Sequence, residues 1–129
     1  KPITIGFHIR RGDYLKYPDI HYICDTQYFE YFFDIFNMTK NDSSICVFTD
    51  SPDHVLNEFK QEFQIIKASS DLKELAYLSQ CDIIVGSNSS FSWWASLIGQ
   101  KTSYFPSKWF VDDRPHENIY RKDMFLKNV

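Results

Sequence analysis

Apolar and β-branched residues alternate with other side chains at the start of the chain (Ile3, Ile5, Phe7, Ile9), and this period of two predicts a strand over residues 4–10. The period then changes. Tyr28, Phe29, Phe32, Phe33 and Phe36 recur at helical spacing, so residues 26–38 read as a helix that Thr26 can cap. A polar break at 37–43 precedes a buried strand at 44–49. Asp50-Ser-Pro-Asp53 stops that strand, and Pro52 suits the first turn of a helix running through Phe59. Residues 63–67 read as a third strand. Asp71 can cap a helix through Ser79, with Glu74 at its third position. Residues 82–86 form a fourth strand, and Ser89 or Ser90 can cap a helix through Leu97 that Gly99 ends. Residues 102–105 make a short fifth strand, and the remainder is irregular or weakly helical.

Strands alternating with helices at this spacing imply right-handed βαβ units and one Rossmann-like α/β domain with a parallel sheet. Ligands of such sheets gather beyond the carboxyl ends of the strands. Every polar cluster of interest in this chain falls there.

Composition narrows the picture. A length of 129 residues allows one ordinary core, and Phe 12, Tyr 8 and Trp 3 make it bulky. A net charge of −3 without a basic stripe argues against nucleic acid as a partner. No apolar run among these residues approaches the ~20 of a membrane span, and none of them reads as a signal peptide. The chain opens on Lys1-Pro2 directly ahead of a strand, which gives it the look of the later part of a longer protein. Cys24, Cys46 and Cys81 are odd in number and widely spaced, so buried, reduced thiols are expected. His8, His21, His54 and His116 show no spacing that would complete a zinc site.

Two segments carry chemistry. The first strand delivers His8, Arg10 and Arg11 to a turn at Gly12-Asp13. Two adjacent guanidiniums repel each other, and nothing nearby in sequence supplies the anionic oxygens they want. A diphosphate does, because each planar fork binds two oxygens at once. The second segment is Asp82-Ile-Ile-Val-Gly-Ser-Asn-Ser-Ser-Phe-Ser-Trp-Trp94, a buried strand running straight into a helix start. Free backbone N–H groups and serine hydroxyls there can bind an anion. A plain serine cap is by itself the commoner explanation of such a segment; a second anion-binding element at the same sheet edge favours the ligand. Trp93 and Trp94, just past the cap, are expected to pack inward.

His8-x-Arg-Arg-Gly-Asp-Tyr14 followed by Asn88-Ser-Ser-Phe-Ser-Trp-Trp94 resembles the α-1,2-fucosyltransferases, particularly their bacterial branch. The likeness extends to His21-Tyr-Ile-Cys24, Phe48-Thr-Asp50, Leu78-Ser-Gln-Cys81 and Lys108-Trp-Phe110. It covers the whole chain but only the later half of a family member. The resemblance implies the carboxyl-terminal, nucleotide-sugar-binding domain of a GT-B-type enzyme. That enzyme would transfer fucose from GDP-fucose to a galactose hydroxyl in α-1,2 linkage, inverting the anomeric carbon without a metal or other cofactor. Arg10 and Arg11 would hold the diphosphate and stabilise the charge building on it. Ser89, Ser90 and the Phe91 amide would grip it from the helix side. His8 would line the nucleotide pocket, and Glu74, where the family carries aspartate, would accept hydrogen bonds from guanine N1 and N2. Asp50 is a second candidate for that pocket. Ser51 and His54 stand where the family often has an acidic residue and a tryptophan.

Inversion needs a base for the acceptor hydroxyl. Asp13 is the nearest carboxylate, though an aspartate after glycine more often pins its own turn and orients the arginines; Asp19, His21 or a residue outside this chain are the alternatives. Arg11-Gly-Asp13 matches an integrin-type tripeptide but sits at a rigid strand end, where the match is coincidental. Other readings are a non-catalytic nucleotide-sugar-binding domain, a fucosyltransferase of another linkage, or an α/β domain whose arginines serve a protein interface. The expected partners are GDP-fucose and a galactose-terminated glycan, with peripheral membrane association of the parent enzyme an open case. A bacterial protein would work in the cytoplasm or at the inner membrane. The sequons Asn37-Met-Thr39 and Asn41-Asp-Ser43 would suit a Golgi protein.

Overall fold

A computed structural model describes residues 3–16, 24, 26–37 and 42–106, the side chains of Asp13 and Tyr14 excepted. Five strands form one sheet in the order β3-β2-β1-β4-β5, parallel throughout. They are β1 (Ile3–Ile9), β2 (Ser43–Thr49), β3 (Gln64–Ile65), β4 (Ile83–Val85) and β5 (Thr102–Tyr104). The helices are α1 (Gly12–Lys16), α2 (Thr26–Asn37), α3 (Pro52–Glu58), α4 (Asp71–Ser79) and α5 (Ser90–Gly99). The expected Rossmann-like α/β fold is present, and each anticipated element lies within a few residues of its expected bounds.

β1 is the central strand because it is buried on both faces. Its odd-numbered residues (Ile5, Phe7, Ile9) join Phe29 and Phe33 of α2 and Val55 of α3 in one core cluster. Phe7 and Phe33 stack at 4.2 Å and 6°. A second, smaller cluster on the other face holds Phe48, Leu78 of α4, Ile84 and Ala95 of α5. The aromatic stripe of α2 therefore does what its spacing implied. Gly6 admits no side chain on this second face, since a Cβ there would meet Cys81 Sγ at 2.7 Å and Leu78 Cδ1 at 2.8 Å.

Several local expectations change. Ser70, not Asp71, caps α4, its hydroxyl accepting from the Lys73 N–H at 3.2 Å, so Glu74 is not spent on a capping box. Ser89 caps α5 and Ser90 begins it. Gly99 does not supply the left-handed residue that ends α5; Gln100 does, with φ 52°. Gly99 is there for packing, because a Cβ would lie 2.0 Å from the Ser79 carbonyl oxygen at the end of α4. Trp94 is about half exposed, contrary to the inward packing expected of it, and meets Trp93 edge-on at 5.0 Å. All three cysteines are free thiols, with Cys24 and Cys81 buried and Cys46 partly so. Among the described residues no helix is long and apolar enough to cross a membrane.

Candidate active site

In a 3-2-1-4-5 parallel sheet the chain winds outward from β1 through β2 to β3 and then crosses back to place β4 on the other side of β1, and this reversal opens a crevice at the carboxyl ends of the strands. A cavity of about 240 Å³ lies at that edge, lined by His8, Arg10, Phe48, Thr49, Asp50, Lys67, Asp71, Glu74 and Phe91. A larger depression, about 450 Å³, sits at the amino ends of β2 and β3 between Ser43–Ile45 and Gln61–Gln64. Its lining brings together neither the arginines nor the histidine, so the first cavity is the candidate site.

Strand pleating decides which member of the β1 motif reaches it. Side chains two apart share a face and neighbours do not. His8 and Arg10 accordingly both line the cavity, while Arg11 points to the α2–α3 side. There it is only 2% exposed. Its Nε and Nη2 donate to Glu58 Oε1 and Oε2 at 3.0 and 2.7 Å, a bidentate pair, and its guanidinium lies 5.7 Å from the centre of the Phe29 ring. Thr26 Oγ1 donates to the same Glu58 oxygen, and His54 Nε2 lies 3.2 Å from the other. Burial pushes the Glu58 carboxyl up. The hydrogen bonds from Arg11 and Thr26, with the charges of Arg11 and His54, outweigh that and hold it below the ordinary range. Arg11 was expected to hold a diphosphate. It has instead found its anionic oxygens inside the protein, 47 residues along the chain, and ties β1 to α3.

Asp50, expected in the base pocket, organises the strand end. Its Oδ1 accepts the Arg11 backbone N–H at 3.1 Å, and its Oδ2 lies 3.5 Å from Arg10 Nε. Ser51 Oγ accepts the Gly12 N–H at 3.1 Å, and Thr49 Oγ1 donates to the Ile9 carbonyl at 2.7 Å. A Cβ on Gly12 would fall 1.8 Å from Asp50 Oδ2, so glycine is required for this carboxylate to reach the turn. Arg10 thus lines the cavity with its guanidinium 3.5 Å from a carboxylate that the turn holds in place.

In the same cavity as Arg10, Glu74 is 9% exposed, yet among the described residues its carboxylate accepts no hydrogen bond and forms no ion pair. It opens into the cavity, where Lys67 and Asp71 also lie. A largely buried carboxylate without a protein donor is costly unless something else supplies one. The α5 start is closed to ligand more than expected. Ser89 Oγ accepts the Phe91 N–H at 3.2 Å, so that amide is already used, and Ser89 and Ser90 do not line the cavity. Phe91 contributes its ring instead, 4.9 Å from the His8 imidazole. Asp13's side chain, Asp19, His21 and Lys108-Trp-Phe110 lie outside the described residues. Glu58, Thr26, Ser87 and Lys67 were not anticipated. Only a buried arginine's need for a carboxylate could have signalled Glu58.

His8 is buried and uncharged. Burial lowers its pKa from 6.5 to about 4; the Asp50 carboxylate opposes this and Arg10 adds to it. In the unfolded chain the imidazole takes up its proton as pH falls through 6.5, but in the folded protein only near 4. The unfolded state thus binds more protons in that window, and stability must fall with acidification across it. The expected loss is about 3 kcal/mol from this group, complete below pH 4. Urea titrations from pH 7 to 4 measure it, and His8→Gln should flatten the slope. An unaltered slope in that variant would show that the imidazole is not held neutral.

Fold and crevice together define a Rossmann-like α/β domain with a ligand-binding cleft at the carboxyl edge of its sheet. The chain matches the model of glycosyl transferase family 11 over residues 2–128, and it belongs to that family. It is also 26% identical over 119 residues to the O-antigen biosynthesis glycosyltransferase WbnK of Escherichia coli. That alignment covers 84% of this chain and 39% of WbnK, so the chain spans about two fifths of this relative's length. The resemblance carried by the two motifs thus holds at the level of the family.

Proposed function

We propose that this chain is the donor-binding part of a fucosyltransferase that uses GDP-fucose and forms an α-1,2 linkage to a galactose hydroxyl of a glycan. The observation that supports the donor most directly is the pairing of Arg10 and Glu74 in one cavity. Guanine presents two N–H donors, N1 and N2, on one edge, and a carboxylate without a partner among the described residues can accept both. The guanidinium suits the diphosphate as a planar fork. The 240 Å³ pocket would hold part of the donor rather than all of it.

In the transfer step, charge accumulates on the β-phosphate as the glycosidic bond to fucose breaks. Arg10, held by Asp50, and the neutral His8 would meet that charge with preset donors. The acceptor hydroxyl attacks from the opposite face and loses its proton to a base; Asp13 and Asp19 are the carboxylate candidates and His21 the imidazole candidate. Orientation of that hydroxyl can contribute up to roughly 7–11 kcal/mol of barrier lowering, and the acceptor wall would belong to the portion of the enzyme beyond this span.

Calorimetric titration tests the donor. GDP should bind more tightly than UDP or ADP by about 1–3 kcal/mol, and Glu74→Gln should erase most of that margin. Equal affinities for GDP and UDP in the wild type would sink the guanine assignment. The Arg10 guanidinium and the neutral His8 N–H would stabilise the leaving diphosphate by charge and hydrogen bonding without a divalent cation, so transfer by the full enzyme should survive excess EDTA. A rate abolished by the chelator and restored by manganese or magnesium would place the reaction in a metal-dependent class.

A further inference from the structure

The loop between β4 and α5 holds a hydrogen bond that the donor reading does not use. Ser87 is completely buried, and its Oγ lies 3.2 Å from His8 Nδ1. No other partner of that hydroxyl occurs among the described residues. Among the described residues its hydrogen can go only to Nδ1 or stay unpaired in the interior, and buried hydroxyls do not stay unpaired without a penalty. Nδ1 is then the acceptor of the bond. A neutral imidazole with an accepting Nδ1 carries its proton on Nε2. Nε2 in turn has no protein partner among the described residues, and the ring lines the cavity beside Arg10.

We propose that Ser87 is a positioning residue that locks His8 in the Nε2–H tautomer, so that a fixed neutral N–H donor faces the anionic oxygens of the nucleotide donor. The opposite tautomer would turn a nitrogen lone pair towards those oxygens and repel them. Two features make the lock effective. The Phe91 ring packs against the imidazole and limits its rotation. Burial, opposed only by Asp50 and reinforced by Arg10, keeps the ring uncharged near neutral pH. The serine also explains a detail of the Gly86-Ser-Asn-Ser-Ser90 run. Ser89 caps the helix, whereas Ser87 sits before the cap, where a capping role cannot account for it.

The inference rests on the donor reading, and its test separates the two. In the full chain labelled with ¹⁵N-histidine, long-range ¹⁵N–¹H correlations without ligand should show His8 protonated at Nε2 only. The His8→Gln spectrum identifies its signal among the four histidines. A proton on Nδ1 would overturn the inference whatever the ligand, whereas a chain that bound no GDP but showed Nε2–H would overturn the donor reading alone. Ser87→Ala should give mixed tautomers and bind GDP about tenfold more weakly, the low end for a hydrogen bond to a charged group. His8→Gln keeps an amide donor near the Nε2 position without needing the serine. Adding Ser87→Ala to it should cost no further affinity, whereas a merely structural serine would cost the same in both backgrounds and refute the lock. Should Ser87→Ala fail to fold, the wild-type tautomer decides by itself.

Discussion

Arg11→Ala should destabilise the protein by about 3–5 kcal/mol, the usual cost of stripping one partner from a buried ion pair. Glu58 would keep its charge, with a side chain 14% exposed, and lose two of its donors at once. The β1 end would lose its tie to α3. Stability is measured by equilibrium urea denaturation. A double variant, Arg11→Met with Glu58→Leu, should recover much of the loss, because it removes the charge together with its partner. Arg11→Lys should fall between, since a single ammonium cannot replace the bidentate fork. An Arg11→Ala protein as stable as wild type would mean that the Glu58 pair contributes nothing and would return Arg11 to the list of donor-binding residues.

Arg10→Ala should behave in the opposite way, with the fold intact and GDP bound about 10- to 100-fold more weakly. That range corresponds to one hydrogen-bonded charge pair of about 1.5–3 kcal/mol. Arg10 has a side chain 30% exposed, and its carboxylate neighbour Asp50 is equally accessible, so neither is left stranded in the core. Arg10→Lys should retain part of the binding and lose more of the turnover, because the planar fork matters most when charge builds on the leaving phosphate. Titration with GDP beside a denaturation curve separates binding from stability. Wild-type affinity in Arg10→Ala would show that the diphosphate is held elsewhere. The two adjacent arginines therefore fail differently, one through folding and one through ligand.

The contrast shows where reading the chain stops. The motif presents Arg10 and Arg11 as a unit, and repulsion between them seemed to require an external anion. The pleat already implied otherwise: with period two, His8 and Arg10 share one face and Arg11 takes the other. What the pleat could not reveal was the partner. Glu58 lies 47 residues away on a helix whose own pattern gives no reason to single it out. Glu74 was reached through the family resemblance. Its lack of a partner among the described residues became visible only once Ser70 proved to be the cap. Ser89 and the Phe91 amide looked like a ready anion site and turned out to be bonded to each other.

The sequence alone determined what depends on local periodicity. The alternation in β1, the aromatic stripe of α2, the stops at Asp50–Pro52 and the regular βα spacing are enough for a parallel sheet with its chemistry at the carboxyl edge, because backbone geometry repeats every two or 3.6 residues wherever it occurs. Tertiary structure decided the pairings: Arg11 with Glu58, Asp50 with the β1 turn, Ser87 with His8, and Gly99 against Ser79. Each joins residues separated by 20 to 79 positions. No periodicity spans such distances. Only the crossing of the chain at the sheet, which brings β1 between β2 and β4, selects which polar groups are close enough to satisfy one another and which are left facing the cavity.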